Sequence, residues 1–150
     1  MRVAVQHFTT ACRHFKHDSA FQASLQTRNT FKEGTAMTNN IIVDLSMNFS
    51  VSIVNLCDSI KGKSAIVNQL LRSGTSIGAN IHEVNYASSR ADFVVKMQIA
   101  LKECYETEYW LELFEKTNII TNDQFKTLKN NCGKIRKLLI SSINTAKANS

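Results

Sequence analysis

The chain has 150 residues, 43% hydrophobic and 20% charged, with five glycines and no proline. That length holds one domain, or one domain with a tail, and so apolar a composition rules out disorder throughout. Few turn formers exclude a sandwich of many short strands and leave a few long helices. The formal charge of +6 permits an anionic partner without requiring one.

That charge divides between two unlike parts. Residues 1–36 carry five basic and two acidic side chains, whereas residues 37–150 carry thirteen and ten. The first part has poor periodicity, and Ser, Thr and Gln dominate from Ser19 to Thr35. Its basic, weakly amphipathic start allows a transit peptide, and Cys12, His14 and His17 allow a metal site. The preferred expectation is a disordered extension, or a start assigned too early with Met37 as the true start. The bundle then occupies 37–150. Cys12, Cys57, Cys104 and Cys132 lie far apart without zinc-ligand spacing, so free thiols, no metal and no cofactor are expected. With no signal peptide and no apolar run of membrane-spanning length, the expectation is a cytoplasmic protein that does not enter a membrane.

Helical periodicity begins at Asn40. Ile42, Leu45, Phe49, Ile53, Leu56 and Ile60 recur at spacings of three and four, and Gly62 ends the first helix. The second runs from Ser64 to Val84 with Ile66, Leu70, Ser73, Ile77, Asn80 and Val84 on one face, followed by a connection over Asn85 to Ser88. Ser89 and Asp92 form a capping box that starts the third helix. Its inward stripe is Phe93, Met97, Ala100, Cys104, Thr107, Leu111 and Phe114. A second box, Thr121 with Gln124, opens a fourth helix carrying Phe125, Leu128, Cys132, Ile135, Leu139 and Ser142. Four long amphipathic helices with short connections predict an all-α, up-and-down antiparallel four-helix bundle.

Two surfaces exceed what such a bundle needs. On the third helix Ile99, Tyr109, Trp110 and Leu113 fall away from the inward stripe and form a second apolar patch bordered by Glu103 and Glu106, which points to self-association. The fourth helix carries six basic residues against one acidic, Asp123. Lys126, Lys129, Lys134, Arg136 and Lys137 spread over the side opposite its apolar stripe, as a surface for nucleic-acid phosphates would. A solvated face matched to the helix dipole gives the same pattern. No aromatic residue interleaves with those lysines, so base stacking is not indicated.

The polar run Arg72 to Glu83 lacks a catalytic set. His82 and Asn80 point to different sides, and His82-Glu83 has no second histidine at zinc spacing. Glu103 and Glu106 lack the Glu-x-x-His companions of a di-iron bundle. Gly74 and Gly78 follow no strand, which excludes a phosphate loop. Ser73, Ser76 and Asn80 instead suggest a buried hydrogen-bond network that sets helix register. An enzyme using Ser76, Asn80 and Glu83 is the remote alternative.

These same residues resemble a known family, the four-helix-bundle proteins encoded by intervening sequences in bacterial 23S rRNA genes. The likeness is carried by Arg72-Ser73, Ser76-Ile77, Ala79-Asn80-Ile81, Glu83, Asp92-Phe93, Lys96, Ile99-Ala100, Lys102-Glu103, Glu106-Thr107 and Tyr109-Trp110-Leu111. Gly74 departs from a common alanine, and Val84 from alanine or glycine. The resemblance implies a bacterial cytoplasmic protein whose bundles form a ring-shaped homopentamer. It also implies kinship with the accessory protein of diversity-generating retroelements, which binds nucleic acid and a reverse transcriptase. The expected function is thus a non-enzymatic oligomer that binds RNA or DNA through its fourth helix. The alternative is a protein-interaction scaffold without nucleic acid.

Overall fold

The computed structural model describes residues 41–148, so the transit-peptide, metal and start-site expectations for the first 36 residues lie outside it. Four helices pack against one another, and there is no strand among the described residues. We label them α1 (Ile41–Ser59), α2 (Ser64–Glu83), α3 (Arg90–Lys116) and α4 (Asn122–Ala148). A single 3-10 turn, Val84–Tyr86, prolongs α2.

Cross-helix contacts give the direction of each neighbour. The Cys57 thiol donates to the Val67 carbonyl at 3.8 Å, while Gly74 adjoins Ile53 and Gly78 adjoins Ser50, so α1 and α2 are antiparallel. Arg72 pairs with Glu106 and, one helical end away, Lys96 pairs with Glu83, which sets α3 antiparallel to α2. Cys132 meets the Cys104 carbonyl at 3.6 Å and Asn122 meets Glu115 at 3.3 Å, so α4 runs back along α3. A surface groove lined by Ser52, Leu56 and Ser59 of α1 and by Asp123, Thr127 and Leu128 of α4 joins the outer pair. The bundle is up-and-down, as expected.

The ends of the helices follow from local chemistry. Thr121 and Gln124 bond reciprocally, with the Gln124 amide donating to Thr121 Oγ1 at 3.2 Å and the Thr121 amide to Gln124 Oε1 at 2.9 Å. At α3 the Asp92 amide donates to Ser89 Oγ at 3.1 Å, but the Asp92 carboxylate turns to the amide and hydroxyl of Ser88 rather than to Ser89. The far end of α3 closes on Asn118 at φ 53°. Its amide reaches the Glu115 carbonyl at 3.0 Å and the next amide, Ile119, reaches Phe114 at 2.8 Å. That is a Schellman ending with asparagine in the left-handed position. The α1–α2 corner uses two left-handed residues in a row, Gly62 at φ 73° and Lys63 at φ 55°.

The core holds Ile42, Phe49, Ile53 and Leu56 of α1, the stripe Met97 to Phe114 of α3, and Leu128, Cys132, Ile135 and Leu139 of α4. Ser46 and Cys57, and further along Ile143 and Ala146, are buried beyond expectation. The α2 face holds Leu70, Ser73, Ile77 and Val84 as expected but differs at its margins. Val67, Gly74 and Ile81 are buried, whereas Ile66 and Asn80 are only half-buried. The reason is close approach: a methyl built on Gly74 would lie 2.8 Å from Ile53 Cγ2, and one on Gly78 2.8 Å from Ser50 Oγ. Hydrophobicity alone gives glycine no weight, yet here it is the contact surface.

Two further corrections concern polarity. Ser73 bonds the Leu70 carbonyl, and Asn80 bonds the Ser76 carbonyl at 2.9 Å. These bonds stay within α2, so no network of Ser73, Ser76 and Asn80 ties helices together; among the described residues interhelical polar contact comes from ion pairs and from the Cys57, Cys132 and Asn122 hydrogen bonds. Helix α1 is also long and apolar enough to cross a membrane by length and composition, contrary to the sequence expectation. Its Ile42, Phe49, Ile53 and Leu56 are spent on the bundle interior.

Candidate nucleic-acid interface

Helix α4 presents its inward face at Leu128, Cys132, Ile135 and Leu139, which directs the intervening positions outward. Lys126, Lys129, Lys134 and Lys137 are exposed, and Arg136 is half-buried. The five do not behave alike. Arg136 leaves the outer face and pairs with Glu108 of α3, Nε to Oε1 3.0 Å, while its guanidinium lies 5.6 Å from the Tyr105 ring centroid. Glu108 holds the Arg136 proton more firmly than usual. Lys129 sets its ammonium 4.9 Å from the Phe125 ring centroid. Lys126, Lys134 and Lys137 make no ion pair among the described residues, so their charge faces solvent undiminished.

The α3 patch is split in a similar way. Ile99 and Tyr109 are exposed, at 39% and 59%, whereas Trp110 and Leu113 are half-buried and Trp110 packs on the core margin. Tyr109 meets Trp110 edge-on with centroids 5.0 Å apart, and Trp110 Nε1 donates to Glu106 Oε1 at 3.4 Å. Glu106 also pairs with Arg72, so one carboxylate serves both the patch and the α2–α3 contact. Glu103 lies deeper. Its Oε2 is buried without a hydrogen-bond partner, with Arg72 Nη1 3.9 Å away. Burial, and next the Glu106 charge, raise its carboxyl above the ordinary value.

Other residues singled out by sequence have structural surroundings. Phe93 is half-buried against the core, the Asp92 carboxylate accepts from the amide and hydroxyl of Ser88 just before α3, and Glu83 pairs with Lys96. No group of His, Cys, Asp and Glu suited to a metal occurs among the described residues. Sequence reasoning passed over an apolar stripe on the outer side of α1, where Met47, Val51 and Val54 are exposed at helical spacing. It also passed over Tyr105, exposed on α3 beside Arg136. The first could have been found from the excess of apolar residues in α1. The second needs the packing of two helices.

None of the functionally curated proteins compared with the chain matches it. Among solved structures, it is similar to a protein of unknown function from Bacteroides thetaiotaomicron, described as a member of the S23 ribosomal protein family. The two share 49% sequence identity with a TM-score of 0.68, over 71% of this chain and 98% of that one. The family model for the 23S rRNA-intervening sequence protein matches residues 38–141, from just before α1 into the last third of α4. The stretch from Arg72 to Leu111 that carries the resemblance lies inside that matched range. On that match the chain belongs to the 23S rRNA-intervening sequence protein family.

Proposed function

We propose that the protein is a non-enzymatic, self-associating binder of RNA or DNA that contacts phosphates through α4. One observation carries the reading: Lys126, Lys134 and Lys137 stand exposed on one helix without acidic partners among the described residues. Solvated cations of this kind release counterions when they meet a polyanion, a sequence-independent and salt-sensitive attraction. Arg136 acts behind them, holding α4 to α3, and Lys129 flanks the same surface. Titration of mixed-sequence RNA and DNA at two salt concentrations tests the reading. Binding should weaken steeply with salt, and changing Lys126, Lys134 and Lys137 to Glu should flatten the salt slope by about two to three. An affinity indifferent to those three charges would sink it.

Self-association belongs to the same proposal. The exposed Ile99 and Tyr109, with Trp110 and Leu113 beside them, supply the apolar surface on α3. A ring of five copies, a cytoplasmic location and a reverse transcriptase as client are proposed from the family resemblance. The α1 stripe of Met47, Val51 and Val54 favours one second reading, a scaffold whose clients are proteins. Pull-downs that survive nuclease treatment would favour it.

A further inference from the structure

The outer face shared by α3 and α4 has a property that neither helix shows alone. Tyr105 is 52% exposed, and Arg136 of the neighbouring helix lies over its ring. Glu108, almost one turn further along α3, bonds the same guanidinium and so holds it beside the ring. Beside them α4 is bare. Gly133 lies one turn before Arg136, and a methyl built there would meet nothing within 4 Å. Glycine weakens a helix relative to alanine, and no contact among the described residues accounts for the one at 133. Its neighbour Cys132 touches the Cys104 carbonyl at 3.6 Å, and Cys104 precedes Tyr105. The exposed ring and the bare helix surface therefore flank one contact. Lys102, one turn before Tyr105, and Lys137, next to Arg136, are both exposed and border the pair with positive charge.

We infer that this face binds a single-stranded polynucleotide, with a base stacked on Tyr105 and its backbone running over Gly133 between Lys102 and Lys137. The inference rests on the nucleic-acid reading above and narrows it. Lysines alone take the phosphates of a duplex and of a single strand alike. An exposed ring adds energy only with a base whose own face is open, and in a duplex those faces are already stacked. The arrangement is also sequence-tolerant, because every base has such a face.

The test uses the full chain and a short labelled RNA of mixed sequence, offered single-stranded or annealed to its complement, with binding read by fluorescence anisotropy. Tyr105→Ala should weaken the single strand about tenfold and leave the duplex nearly unchanged, while Tyr105→Phe should bind as the parent does. Gly133→Gln covers the bare surface without entering the core and should also weaken the single strand, so the idea stays testable if Tyr105→Ala misfolds. An unchanged single-strand affinity in Tyr105→Ala, or an equal loss on the duplex, overturns the stacking site. If the triple Lys126, Lys134, Lys137 to Glu variant then loses both forms, the phosphate reading survives without it. If instead only the Tyr105 and Gly133 variants lose the single strand, the platform stands and those three lysines are not its source of charge.

Discussion

Arg136 reaches across from α4 to Glu108 on α3, Nε to Oε1 3.0 Å, and this draws one of five apparent surface cations into the seam between helices. Both side chains are partly buried, at 30% and 18% exposure, so the pair is less screened than a surface ion pair. Arg136→Ala is expected to cost about 1 kcal/mol, since it leaves Glu108 without its donor. Lys126→Ala should stay within about 0.5 kcal/mol of the parent. Urea unfolding of both variants checks the contrast, and equal midpoints would count against it.

The two kinds of helical glycine should respond with opposite sign. Gly74 has Ile53 Cγ2 2.8 Å from where a methyl would sit, and Ile53 is fully buried. Gly74→Val should therefore destabilise by about 1–3 kcal/mol through overpacking. Gly133 has open space, so Gly133→Ala should stabilise by about 0.5–1 kcal/mol and raise the melting temperature by a few degrees. Thermal melts followed by circular dichroism report both.

What the sequence discloses depends on whether side chains or their absence set the contact. Every α3 position from Met97 to Phe114 on the expected stripe is buried, because its residues keep the helical spacing throughout and only Thr107 among them is polar. In α2 Leu70, Ser73, Ile77 and Val84 are buried as expected, but Ile66 and Asn80 are half-buried while Val67, Gly74 and Ile81 join the face, since glycine carries no hydrophobic signal but lets α1 come closest. Thr121 with Gln124 was legible because a capping box is local. Asn118 closing α3 was not, as many asparagines adopt ordinary turns. At the candidate site, the exposed lysines follow from the helical repeat. The diversion of Arg136 and the exposure of Tyr105 beside it depend on residues 28 or more apart in the chain.

Glu103 should give stability an unusual pH dependence. Burial and Glu106 raise its carboxyl above the ordinary 4.5, so the folded state holds that proton more tightly than the unfolded chain does. The sign follows by linkage: its contribution favours folding below that ordinary value and is lost as pH rises through the folded value. Glu103→Gln should accordingly unfold no more easily than the parent at pH 7. Any advantage should shrink as both proteins are acidified below about pH 5. Denaturation midpoints across that range decide it, and a variant much weaker at pH 7 would show that the Arg72 pairing outweighs burial.

Ile99→Asp places a charge on the exposed apolar patch without touching the core. The particle mass should fall in light scattering while helical content persists. Trp110→Ala should do the same at a cost of about 2 kcal/mol, because that ring also packs on the core margin. Unchanged mass in both would remove this patch from the assembly.

The cysteines of the described bundle should be silent while it is folded. Burial, with Asp58, pushes the Cys57 thiol up to about 11, and a hydrogen bond with Cys132, together with burial, raises Cys104. Thiolate is the reactive form and Cys132 is fully buried, so alkylation at neutral pH should label Cys57, Cys104 and Cys132 only after denaturant is added. Rapid native labelling of Cys132 would reveal that the α3–α4 seam opens readily.

The antiparallel order has a consequence for how the chain reaches this state. Three of the four helix pairings join segments adjacent in sequence, across corners of a few residues, and such hairpins form early because little loop entropy opposes them. The groove between Leu56 and Leu128 is different, since it brings together residues separated by two whole helices. During synthesis the inner side of α1 must wait for α4 to emerge before its last wall is in place. Slow refolding intermediates, if trapped, should therefore be three-helix states with Leu56 still wet.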